Sequence, residues 1–276
     1  MQKIFLGPAG IPTTTKGGTL EGIKEVSRLG LNSIECEFVR GVRMKPELAR
    51  EVGDLAKKLN IQLTIHAPYF INLCSKDKKT IEASKKMILD SADRGELMNA
   101  KAIAIHSAYY TGLNSKQALE KTKEGFMDIL DKMKSEGIKN VKLGIETMAR
   151  ESQFGTLDET IELCKEARQL IPYIDWAHLF ARNNGKIDYG EVFDKLKILK
   201  SDRIYSHFEG VKFDEKKKRF VDVHVPINSH PPFEPLAREI LKRKIDITVI
   251  SESPLLEHDS LKMKNIFEKL GYKFSE

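Results

Sequence analysis

Eight short runs rich in β-branched residues recur along this chain, and each is followed by a longer segment with helical spacing of its apolar residues. The runs lie at residues 3–7 (KIFLG), 33–39 (SIECEFV), 61–68 (IQLTIHAP), 102–106 (AIAIH), 141–146 (VKLGIE), 173–178 (YIDWAH), 203–209 (RIYSHFE) and 247–252 (ITVISE). Helices are predicted between and after them over 19–30, 46–60, 77–100, 115–136, from Thr156 onward, 191–200, 234–244 and 259–270. Strands that alternate with helices pair in parallel through right-handed crossovers. Spread over eight units, 276 residues give about 34 per unit, one strand–helix step of a closed barrel. The pattern predicts an α/β fold, a single (β/α)8 TIM barrel occupying residues 1–276 as one domain. A doubly wound open sheet is the main alternative. It usually needs fewer strands, and no G-x-G-x-x-G turn follows the first run.

Composition excludes several classes. With 41% hydrophobic residues the chain can bury a large core and is not a disordered polymer. Its three cysteines, Cys36, Cys74 and Cys164, are widely spaced and form neither a disulfide framework nor a zinc knuckle. Free thiols, no apolar leader and no stretch of 18 apolar residues lead to the expectation of a cytoplasmic protein. Forty-six Lys and Arg against 40 Asp and Glu leave a net charge of +6, compatible with a phosphate-bearing partner.

In a barrel of this kind the chemistry sits where the strands end. The third run ends on His66, the fourth on His106 and the fifth on Glu146. The sixth ends with Asp175 and His178, the seventh carries His207, and the eighth ends on Glu252. The long connection after the seventh run holds Asp222-Val223-His224, which reads as a short extended segment with both polar residues on one face. Any one of these residues alone is a weak signal. Together they place five of the chain's seven histidines and four carboxylates at one mouth. Four carboxylates gathered without cations would repel and desolvate one another, so metal ions are implied. Mixed imidazole and carboxylate donors suit zinc, manganese or iron better than magnesium or calcium. Nine donors are too many for one ion, and three ions with shared carboxylates is the natural count. Clustered cations of this kind polarise a phosphodiester, activate water and stabilise the leaving oxygen.

The ordered series His66 in HAPYFIN, His106 in AIAIH, Glu146 in GIET, Asp175-x-x-His178, His207, Asp222-x-His224 and Glu252 in ISES resembles endonuclease IV, a zinc-dependent apurinic/apyrimidinic endonuclease family within the xylose isomerase-like TIM barrels. The resemblance spans nearly the whole chain. It implies three zinc ions, with manganese as a substitute. His66, His106 and Glu146 would hold the first. Glu146 would bridge to the second, joined by Asp175, His207 and Glu252. His178, Asp222 and His224 would hold the third. The implied reaction is hydrolysis of the phosphodiester 5′ to an abasic site in double-stranded DNA, a step of base excision repair, by a monomer. Glu146 and Glu252 are the catalytic candidates, Glu252 also positioning or deprotonating the attacking water. Tyr69 matches a tyrosine that presses into DNA at the lesion, and Arg40 or Arg43 matches an inserting arginine.

The chain departs from that family around the donor series. Ser107-Ala108 follows His106, Phe208-Glu209-Gly210 follows His207, VPINSHPPF follows His224, and TMARESQFG follows Glu146. The alternative function is a sugar isomerase or epimerase of the same barrel group, which resembles this chain at Glu146, Asp175, His207 and Glu252 alone and would use one metal. Glu35 and Glu37, alternating with apolar residues, are placed to face the mouth in a supporting role. His230 and His258 read as loop residues and Trp176 as packing. Lys216 to Arg219 is either a phosphate contact or a solvated turn, and Tyr109 and Tyr110 either stack on a substrate or pack in a loop.

Overall fold

The computed structural model describes residues 2–274. In chain order the elements are β1 (Ile4–Pro8), α1 (Thr19–Arg28), β2 (Ser33–Glu37), α2 (Pro46–Lys58), β3 (Gln62–His66), α3 (Lys78–Met98), β4 (Ala102–Ile105), β5 (Ala108–Tyr109), α4 (Ser115–Ser135), β6 (Lys142–Glu146), β7 (Gln153–Phe154), α5 (Leu157–Cys164), β8 (Leu170–Asp175), α6 (Trp176–Arg182), α7 (Tyr189–Leu196), β9 (Ile204–Phe208), β10 (Gly210–Asp214), β11 (Arg219–Val225), α8 (Phe233–Arg243), β12 (Ile247–Ser251) and α9 (Glu257–Lys269). All eight strands predicted from the periodicity form one parallel sheet in the order β1-β12-β9-β8-β6-β4-β3-β2. That order is the chain order bent round until the first and second strands meet, which is a barrel.

The β1–β2 seam closes by other means than a full ladder. Asn32 lends its side chain: Oδ1 accepts from Leu6 N at 2.7 Å and Nδ2 donates to the Ile4 carbonyl at 3.0 Å. Above it, Ala9 bridges to Glu35 in parallel, and Gly10 N donates to the Glu35 carbonyl at 2.9 Å. The backbones approach so closely that a Cβ on Gly7 would lie 1.7 Å from the Ser33 carbonyl oxygen, so no other residue fits there.

Inside the barrel, alternation brings Ala102, Ala104 and Tyr173 into one packed group, with Tyr205 against it. Gly144 makes room for the Tyr173 ring, 2.7 Å from where its Cβ would be. This apolar plug fills the lower barrel and leaves the upper layer to polar residues. The helices cover the outside through their apolar stripes, for example Phe126, Ile129, Leu130 and Met133 on α4.

The sixth predicted strand needs correction. The sheet strand ends at Asp175, and the chain turns into a helix at Trp176. Asp175 is the N-cap of α6, its carboxylate accepting from His178 N at 2.6 Å. His178 therefore stands on a first helical turn. Trp176 is packing, as expected, but from a helix, against Tyr189 and Phe193. The predicted extended segment around Asp222 is one arm of an antiparallel hairpin, β10–β11, standing over the mouth. Lys216, Lys217 and Lys218 make its exposed turn, tied by Asp214.

Candidate metal centre

Each strand end delivers its polar side chain to the mouth because it shares the inward parity of the plug below. His66 follows Thr64, Glu146 follows Gly144, Asp175 follows Tyr173 and His207 follows Tyr205, each two residues on. All nine residues of the sequence series meet there. Three donor groups reproduce the predicted division, with donor atoms in each lying within 4.8 Å of one another: His66, His106 and Glu146; Glu146, Asp175, His207 and Glu252; His178, Asp222 and His224. Glu146 belongs to the first two. Its Oε2 lies 3.5 Å from His66 Nε2 and 3.2 Å from His106 Nε2, while Oε1 lies 3.4 Å from His207 Nδ1.

Four of the histidines are held by one ring nitrogen and present the other. His66 Nδ1 donates to the Ala67 carbonyl at 2.7 Å, His178 Nδ1 to the Thr147 carbonyl at 2.9 Å, and His224 Nδ1 to the Glu252 carbonyl at 3.2 Å. A carbonyl can only accept, so these contacts put the proton on Nδ1 and leave the Nε2 lone pair free to bind a metal ion. His207 is turned the other way. Its Nε2 meets Glu35 Oε1 at 2.7 Å, and the second Glu35 oxygen accepts from the Tyr173 hydroxyl at 2.7 Å. Nδ1 of His207 is thereby aimed at Glu146 and Glu252. A carboxylate behind an imidazole is the usual orienting device of a metal ligand, which gives Glu35 the supporting place the sequence suggested. Thr147 fixes the neighbouring pair, accepting from His178 and exchanging hydrogen bonds with the Asp175 backbone.

The electrostatics without cations are strained. Burial opposes ionisation of Glu146, yet the charges of His106 and His207 hold its pKa far below the usual range. Burial likewise opposes charging of His66, but its hydrogen bond and charge interaction with Glu146 hold it up to about 10. The same balance, led by burial against Glu209 and Asp222, puts His224 at about 10. Burial, reinforced by Glu146 and Glu252, pushes Asp175 upward. Burial also lifts Glu37 to about 8, with Glu35 and Glu252 adding to it. The cluster thus holds its carboxylates together by retaining protons. His66 Nε2, Glu146 Oε2 and Asp175 Oδ2 are buried without any hydrogen-bond partner. Orphaned donor atoms of mixed imidazole and carboxylate type are what bound divalent ions would satisfy.

The remaining sequence candidates lie around this centre. Tyr69 packs on His66 and His106, ring centroids 4.8 and 5.3 Å apart, and is 44% exposed. Arg40 and Arg43 are both exposed on the loop after β2. Tyr110 is a packing residue, its hydroxyl bonded to Glu159. His230 lies against Phe180 and Phe220, and His258 is exposed beside Glu257; neither joins a donor group.

Three features escaped the sequence reading. Glu209 is buried in the mouth and joins two further donor groups; its spacing of two from His207 was the available signal. Phe70, beside Tyr69, is 70% exposed. Arg150, in the altered segment after Glu146, pairs with Asp222 through Nε at 3.1 Å. Arg182 anchors that segment by donating to the carbonyls of Met148, Arg150 and Gln153.

The sequence profile of the xylose isomerase-like TIM barrels matches residues 23–266. The chain belongs to that family. An uncharacterized protein of Methanocaldococcus jannaschii is 30% identical over 97% of this chain and 98% of its own length. The probable endonuclease 4 of Oceanobacillus iheyensis is 30% identical over 60% of this chain and 58% of that protein. Among solved structures, endonuclease IV from Thermus thermophilus superposes with a TM-score of 0.72 at 18% identity, covering 98% of both chains. A D-tagatose 3-epimerase-like protein superposes at 0.70 with 17% identity, covering 98% of this chain and 96% of that one. At these identities the superpositions show the shared barrel of the family. The separation of nuclease from epimerase rests on the side chains at its mouth.

Proposed function

We propose that this protein is a zinc-dependent endonuclease that hydrolyses the phosphodiester 5′ to abasic sites in double-stranded DNA. The observation that carries the reading is the convergence of all nine donors, Glu146 shared, in three adjoining groups. A sugar isomerase or epimerase needs the four-donor group alone, and five further donors in the same mouth would then be without purpose. When bound, adjacent divalent ions polarise a phosphodiester and bring the pKa of water close to neutrality. His66, His106 and Glu146 would hold one ion; Glu146, Asp175, His207 and Glu252 a second; His178, Asp222 and His224 a third.

The protein's own groups do the rest. Glu35 and Thr147 lock His207 and His178 in place. Glu252, a member of the four-donor group, would orient the attacking water and take its proton. Tyr69 and Phe70, exposed and adjacent, supply an aromatic wedge against the gap an absent base leaves. Arg40 and Arg43 supply cationic contacts to the strand. Three unpaired cysteines, all buried, suit a reducing cytoplasmic setting for DNA repair. The chain acts as a monomer in this reading.

The test is incubation of the purified protein with a duplex carrying one abasic site, with and without chelator. Incision 5′ to the site, leaving a 3′-hydroxyl and abolished by chelator, is expected. A zinc-loaded protein that leaves the duplex intact while epimerising a ketohexose would overturn the reading.

A further inference from the structure

Glu209 lies directly after β9, two residues beyond His207, and strand parity turns it to the same inner face. It is fully buried, and neither of its carboxylate oxygens has a hydrogen-bond partner. Among the described residues no Lys or Arg pairs with it; the nearest cationic group is His224, with Nε2 3.8 Å away. A carboxylate in such a place is costly unless something positive meets it.

Its location between two of the donor groups is specific. Glu209 forms one compact donor group with Asp175 and His178, and another with His224 and Glu252. Asp175 and Glu252 come from the four-donor group. His178 and His224 come from the group completed by Asp222. Both groups containing Glu209 therefore draw one donor from each side, and Glu209 stands at the boundary between them.

We propose that Glu209 is a tenth metal ligand, shared between the ion of the Glu146–Asp175–His207–Glu252 group and the ion of the His178–Asp222–His224 group. The inference rests on the metal centre described above and extends it. A shared carboxylate there does for the second and third ions what Glu146 does for the first and second. It also raises the carboxylates facing the ions to five, Glu146, Asp175, Glu209, Asp222 and Glu252, which nearly balance the charge of three divalent cations. On each of the two ions, one coordination position otherwise open to water or phosphate is then filled by the protein.

The experiment compares zinc-loaded wild type with Glu209→Gln by elemental analysis after desalting, by competition with a chromophoric chelator, and by thermal unfolding with and without zinc. Wild type is expected to retain three ions. Glu209→Gln should lose at least one on desalting, with at least tenfold weaker retention in the chelator competition. Without zinc the variant should melt no lower than wild type, because an unpaired buried carboxylate has been removed; with zinc it should melt lower. A merely structural role would lower both. An unchanged ion count and chelator curve, with three ions in wild type, would overturn this inference alone. A wild type that retains one ion or none would overturn the metal centre with it. A variant that does not fold leaves the question to zinc-edge anomalous diffraction of the wild type. There an oxygen of Glu209 within about 2.2 Å of two ions supports the proposal. Both oxygens beyond about 3 Å from every ion would end it.

Discussion

At the scale of single residues, the mouth exchanges protons for cations. His66 and His224, held up to about 10 from an ordinary 6.5, are charged at neutral pH when no cation is present. Raised in the folded state, they stabilise the cation-free protein fully below about pH 6.5, and that contribution disappears as pH rises through about 10. Glu37, lifted to about 8, works in the same direction, since its proton is lost on the way up. Cation binding reverses the slope, because ligand histidines must be neutral. In chelator, the unfolding temperature should therefore fall from pH 6.5 to 10. In zinc it should rise from pH 5.5 to 7.5. Parallel slopes in the two series would contradict this account. The donors themselves were legible in the sequence because a strand of known parity announces where its last residue points. Glu209 was less so: it closes the run 203–209 two residues beyond His207, but that spacing alone does not tell a buried Glu from a solvated one. In the fold it meets His224 of the β10–β11 hairpin, with Nε2 3.8 Å away, a contact no local window contains.

At the scale of elements, the barrel was legible and two of its joints were not. Periodicity located all eight strands, because in a fully covered sheet the β-branched runs stand out from the amphipathic helices that flank them. The end of β8 was misplaced by three residues, for a physical reason: YIDWAH carries strand-forming residues up to Asp175, and only the Asp175 side chain capping His178 N commits the next turn of chain to a helix. The β1–β2 closure was likewise invisible. It depends on one amide, Asn32, taking the place of a strand backbone, and on the absence of a side chain at Gly7. Asn32→Ala removes the acceptor for Leu6 N and the donor to the Ile4 carbonyl, both part-buried. Leaving those groups unpaired should cost about 1–3 kcal/mol each at most. Urea denaturation should show a lowered midpoint with an unchanged slope. An unchanged midpoint would mean that the backbone contacts of the seam, Asn32 N to the Leu6 carbonyl and Gly10 N to the Glu35 carbonyl, close the barrel without the Asn32 side chain. Elsewhere single carboxylates tie loops in the same manner. Glu159 accepts from Tyr110, Ser115, Gly155 and Thr156, joining the loops after β4 and β6 that frame the donor groups.

For the whole molecule, net charge and mouth charge have opposite meanings. The chain carries +6, yet its mouth concentrates Glu35, Glu37, Glu146, Asp175, Glu209, Asp222 and Glu252. Without cations the mouth balances its ionised carboxylates with protonated histidines and offers phosphate no positive field of its own. Loaded with three divalent ions it attracts phosphate, and the exposed Arg40 and Arg43 add to that field from the β2 loop. If the chain acts on DNA as proposed, its affinity for DNA should depend on metal loading before any bond is cut. Measured by fluorescence anisotropy on a duplex with a non-cleavable abasic analogue, binding should be lost in chelator and restored by zinc. In the zinc-loaded protein, the logarithm of the affinity should fall linearly with the logarithm of salt concentration. Each lysine or arginine that contacts a phosphate contributes a slope of about 0.9. Arg40→Ala and Arg43→Ala then separate two arginines that the sequence left equivalent. The one that touches the backbone should lower the slope by about one unit and weaken binding to intact and abasic duplexes alike. The one that enters the helix at the lesion should leave the slope nearly unchanged and reduce the preference for the abasic duplex. Two variants that both bind as wild type at every salt concentration would show that the β2 loop does not meet DNA. The burden of recognition would then pass to the Tyr69–Phe70 edge and the lysine turn of the β10–β11 hairpin.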